Sequence, residues 1–146
     1  MKTSILNIKS VVVLAIVAMV ALFGNSAYAD NYVVNKVGNT QIVYSTDATG
    51  LYLTPKFKYV YTNPTTSVEI KTALFWSTNT DTWLPDYQVT TETVKGQKTM
   101  TYARWNNLTQ AYNNSERMVY QLDSNQKAVS CEYMLWSETS KDWITK

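Results

Sequence analysis

The chain is predicted to be all-β, an antiparallel meander of repeated β-hairpins curled into an open sheet or a partly closed sandwich or barrel, after an N-terminal signal peptide. Three observations lead there. All five tryptophans fall in one recurring frame, Trp76 with Trp83, Trp105 with Tyr112, and Trp136 with Trp143, each pair enclosing six mostly polar residues. From Asn31 onward Val, Ile, Thr, Tyr, Trp and Phe dominate, and no stretch carries a helical stripe. Polar turn clusters recur at short intervals, with no room for the dozen or more residues that a parallel connection needs.

The leader comes first. Lys2 and Lys9 are basic, Val11 to Phe23 is an apolar run of 13 residues, and Ala27-Tyr28-Ala29 is a small-x-small cleavage site. The run is shorter than the roughly 20 residues of a spanning helix. Residues 1–29 therefore read as a signal peptide, and 30–146 as one β-repeat domain starting at Asp30. With no cysteine at the cleavage point, the expectation is an exported protein, periplasmic or extracellular, with no membrane attachment after cleavage.

Turn clusters then divide the mature chain into strands near 32 to 36, 40 to 45, 51 to 61, 68 to 76, 83 to 94, 98 to 105, 112 to 122, 127 to 136 and 143 to 145. Val37-Gly38-Asn39, Thr62-Asn63-Pro64, Lys95-Gly96-Gln97 and Asp123-Ser124-Asn125 are the tight links, and the aromatic frames enclose the other turns. A fourth, degenerate frame is read at Tyr44 and Leu51, so that corresponding positions advance by 32, 29 and 31 residues. In an antiparallel hairpin with an even loop, residues seven apart oppose each other on one side of the ribbon. Each frame is thus expected to be a cross-strand aromatic pair clamping a loop. Face assignment stays open: counting back from Trp76 the tryptophan side is apolar (Leu74, Ile70, Val68), whereas from Trp136 the other side is (Leu135, Tyr133, Cys131). Either a bulge intervenes, or both faces are partly covered.

Composition excludes several functions. There is no histidine and only one cysteine, Cys131, expected to be buried in its strand. Ser-His-Asp and Cys-His catalysis are therefore ruled out, as are zinc or iron–sulfur sites of ordinary composition, and no catalytic residue, metal site or cofactor is assigned. Removing the leader takes two of 13 bases and no acid, leaving 11 against 11. Such balance, without a basic cluster, argues against a nucleic-acid partner. Asp47, Asp81 and Asp142 sit at different offsets of the frame loops and read as turn residues rather than calcium ligands.

Paired carboxylates keep a glycoside hydrolase as a third option, with Glu69, Glu92, Glu116 and Glu132 as the strand candidates. The first is a non-enzymatic module that binds a glycan or protein surface through Trp76, Trp83, Trp105, Tyr112, Trp136 and Trp143. The second is a structural protein that self-associates through its sheet edges. The leader ending Ala27-Tyr28-Ala29, the segment Leu53-Thr54-Pro55-Lys56-Phe57-Lys58-Tyr59, and the recurrence of Ala73-Leu74-Phe75-Trp76 as Tyr133-Met134-Leu135-Trp136 resemble a family of short exported gut-bacterial proteins of unknown function. The resemblance implies a bacterial source and export, and no catalytic residue or ligand.

Overall fold

Strand-forming residues alternate between turns, and each run becomes one strand of a nine-stranded sheet. The computed structural model describes residues 32–146, so the leader read over residues 1–29 lies outside the described residues. The strands are β1 (Tyr32–Val37), β2 (Thr40–Thr46), β3 (Leu53–Thr65), β4 (Val68–Ser77), β5 (Thr82–Val94), β6 (Gln97–Asn106), β7 (Ala111–Leu122), β8 (Ala128–Ser137) and β9 (Asp142–Thr145). They lie in sequence order and every pair is antiparallel, a pure meander. The sheet is open: β1 and β9 are its edges, and no closure into a barrel or sandwich occurs among the described residues.

Local chemistry fixes the hairpins. Lys95 and Gly96, at φ 47° and 78°, form the two-residue turn whose twist matches that of the flanking strands, and Gly38 supplies φ 59° at the β1–β2 turn. The frame loops use a different device. Asp81, Gln110 and Lys141, each the fourth residue of a four-residue loop, hold φ of 49°, 51° and 53°. At the loop start, Asn106 Oδ1 accepts from the Leu108 and Thr109 amides and Ser137 Oγ from the Ser140 amide. Asp47 Oδ1 does the same for Leu51 and Tyr52, which is a turn role for that aspartate.

Two sequence expectations shift. The β3–β4 turn lies at Thr66-Ser67, not at Thr62-Asn63-Pro64, which falls within β3. The ladder is irregular between Thr62 and Thr65, so Pro64 sits where a missing amide breaks no regular pairing. The first frame is also displaced. Tyr44 opposes Pro55 rather than Leu51, and the residues seven apart that do oppose each other are Thr46 and Leu53. With Thr46 in place the repeat advances by 30, 29 and 31 residues (46, 76, 105, 136).

A bulge recurs with the repeat. Register slips at Val43/Tyr44, Ala73/Leu74 and Tyr102/Ala103 leave Lys56, Asp86 and Ser115 as extra residues in β3, β5 and β7. One inserted residue shifts the two-residue alternation, so side chains beyond it change faces. Thus Trp83 and Pro85 share a face with Trp76, while Tyr87 and Val89 lie on the other. Neither β4 nor β8 carries the extra residue at its frame, so no bulge accounts for the conflict in their alternation: both faces of the sheet carry apolar residues.

Candidate functional site

Following the register across the sheet separates a tryptophan face from a tyrosine face. The tryptophan face holds every frame. Trp76 opposes Trp83, Trp105 opposes Tyr112, and Trp136 opposes Trp143. Ring centroids are 5.1, 5.0 and 5.2 Å apart at interplanar angles of 71°, 65° and 66°, the edge-to-face geometry that ring quadrupoles favour. All six rings are half-buried.

Because each frame closes a loop between an even-numbered strand and the next, all three lie at one end of the sheet. Successive frames are two strands apart, about 9.5 Å. They make one row, which Thr46 and Leu53 continue without an aromatic. Loop residues hold two of the indoles: Trp105 Nε1 donates to Asn107 Oδ1 at 2.9 Å and Trp136 Nε1 to Glu138 Oε1 at 3.0 Å. Glu138 also pairs with Lys141, which keeps its carboxyl below the usual range.

Beside the row, the bulge sets a second periodic feature. Two residues after each extra residue stand Lys58, Gln88 and Arg117, all on the tryptophan face. Lys58 Nζ lies 6.0 Å from the Trp83 ring, Gln88 donates to Thr72 Oγ1 at 3.1 Å, and the Arg117 guanidinium lies 4.1 Å from the Trp143 ring while donating to Thr101 Oγ1 at 3.2 Å. Each of the three aromatic frames is thus flanked, on the strand that precedes it, by a long polar side chain.

The tyrosine face holds the most deeply buried residues of the sheet. Tyr59, Ala73 and Tyr87 oppose one another across β3, β4 and β5, and Ala73 is only 1% exposed, roofed by its larger neighbours. Tyr87 packs on Tyr102 with centroids 5.0 Å apart. Lys71 Nζ lies 4.2 Å from the Tyr59 ring and 5.9 Å from that of Tyr87. Burial lowers the Lys71 ammonium to about 8 and raises the Tyr59 hydroxyl to about 12; Tyr87 is raised by burial too. Glu116 is buried and accepts from the Tyr133 hydroxyl at 2.8 Å. Cys131, expected to be buried, is half-buried here beside Tyr120, and burial raises its thiol.

The sequence gives Glu116 only as a strand carboxylate and Tyr133 only as an apolar-side residue, and assigns no part to Lys71, Tyr87 or Tyr102. The available signal was the two-residue alternation Tyr59-x-Tyr61, Met118-x-Tyr120 and Cys131-x-Tyr133, which the tryptophan spacing overshadowed. The four strand glutamates do not converge. Glu69 and Glu116 lie on the tyrosine face, and Glu92 and Glu132 on the tryptophan face. Each pair is three strands apart, about 14 Å of lateral spacing. No group of three potential metal-ligating side chains occurs among the described residues.

Three solved structures share the fold. One, a protein of unknown function from Bacteroides fragilis, superposes with a TM-score of 0.72 at 18% identity, covering 79% of this chain and 88% of its own. The others are DUF3836 family proteins from Parabacteroides distasonis (TM-score 0.52, 23% identity, 62% and 90% coverage) and Bacteroides vulgatus (0.50, 20%, 58% and 91%). No curated protein matches the chain in sequence. The model of the family of unknown function DUF3836 matches residues 1–122, the chain as far as the end of β7, and the chain belongs to that family.

Proposed function

We propose that the protein is an exported, non-enzymatic binding module of a gut bacterium, and that its tryptophan face engages a glycan with a repeating backbone. One observation carries this reading: the three aromatic pairs stand in a single row on one face, each accompanied by a long polar side chain and separated by two strand spacings. A polymer lying across the strands would meet the same chemistry at each step, an aromatic ring face for the apolar side of a sugar ring and Lys58, Gln88 or Arg117 for its hydroxyls. Binding would draw on ring surface that the edge-to-face contacts leave open, and on Arg117 moving off Trp143. The leader supports export. The scattered glutamates support a role without hydrolysis, since their roughly 14 Å lateral spacing exceeds the 6.5 to 9.5 Å between the carboxyls of an inverting glycosidase.

Affinity electrophoresis through gels containing soluble polysaccharides tests the reading. Retardation by at least one polysaccharide, lost in Trp83→Ala with the circular dichroism spectrum unchanged, is the expected result. Equal mobility of wild type and variant in every gel would contradict it.

A further inference from the structure

The tyrosine face carries a feature that the glycan reading does not use. At its loop end, Val34 opposes Val43, Val43 opposes Phe57, Phe57 opposes Phe75, and Phe75 opposes Leu84. These residues form an unbroken apolar row across five adjacent strands, about 19 Å long. The row is open to solvent: Val34 is 48% exposed, Phe57 37% and Phe75 38%, with Val43 and Leu84 half-buried. A contiguous apolar stripe marks an interaction surface far more often than a scattered exposed residue does. We propose that this face docks a second copy of the chain, face to face, with the two apolar rows packed across a two-fold axis.

Three considerations select that occupant. A sheet with an apolar face ordinarily buries it against a second layer, yet each strand here pairs only with its sequence neighbours, so the described residues supply no such layer. A second copy supplies one about 10 Å away. The face that holds the row also carries charges of both signs. Lys36, Lys71, Glu69 and Arg104 lie on this face, on β1, β4 and β6. With both signs present, an isologous interface can set opposite charges near one another. Area suffices too. Nine strands span about 38 Å, and strands of ten residues run about 30 Å, so a standard interface of about 800 Å² per partner fits within the face. The tryptophan face stays outward on both copies.

Sedimentation equilibrium of the purified protein, with Phe75→Glu and Val34→Glu, tests this. Wild type is expected at twice the chain mass, with both variants monomeric or at least tenfold weaker in association. Val34 lies on an exposed edge strand, so its variant keeps the test decisive if Phe75→Glu fails to fold. A monomeric wild type would overturn the proposal. So would a dimer that both folded variants leave intact, since that result would place association at the strand edges.

Discussion

On the tryptophan face, the rings of the three frames come in closed pairs at one end of the sheet, half-buried, with two of the indoles held by loop residues. On the tyrosine face, rings run through the middle of the sheet and roof its most buried residues, Tyr59, Ala73 and Tyr87. The same strands thus use one face to fix hairpin ends and the other to build a core without a second layer. The bulges at Lys56, Asp86 and Ser115 permit this, because each resets the alternation between a loop end and a strand body.

The largest expected effect falls on the tyrosine face. Tyr87→Ala removes the ring that covers Ala73 and contacts Tyr102, and a loss of about 3 kcal/mol in urea unfolding is expected. Trp143→Ala, on the short edge strand β9, is expected to cost about 1 to 2 kcal/mol. Hydrogen exchange should confine its effect to fraying of β8 and β9. Equal losses in the two variants would break the distinction between core face and clamp face. A double-mutant cycle on Trp76 and Trp83 sharpens it further, with a coupling of about 0.5 to 1.5 kcal/mol expected from the edge-to-face contact.

The pH dependence separates the faces in another way. Lys71 titrates at about 8 when folded against an ordinary value of 10.5, so between those values the unfolded chain binds more protons. Stability therefore rises with pH through that window. Tyr59 and Tyr87 are raised above 10, so past that pH the folded chain keeps protons that the unfolded chain loses, and stability falls. Denaturant midpoints should peak near pH 10, with a gain of about 1 kcal/mol over neutral pH once the partial exposure of Lys71 is discounted. Lys71→Met should abolish the rising limb; a rise that persists would assign it to another group. The smallest effect belongs to a loop: Gln110→Gly relieves a left-handed backbone and is expected to stabilise by up to about 1 kcal/mol in thermal melts.

Much of the fold was legible because hairpin periodicity is a local property. Nine strands, three clamps and the antiparallel order followed from aromatic spacing and turn chemistry. The first frame was misplaced because Thr46 and Leu53 carry no aromatic to mark them, while Tyr44 nearby resembled one. Pro64 suggested a turn where the chain makes an irregular step within β3. The tyrosine face was not legible, because the bulges hide in Pro55-Lys56-Phe57, Pro85-Asp86-Tyr87 and Asn114-Ser115-Glu116, and only cross-strand register reveals the extra residue.

Tryptophan emission offers the most direct test of the division of labour, because every tryptophan lies on one face. Titrating a retained polysaccharide into wild type and Phe75→Glu is expected to give the same saturable change in both, placing the ligand on the tryptophan face. Retention of the polysaccharide with emission unmoved in wild type would contradict the account and put the ligand on the tyrosine face.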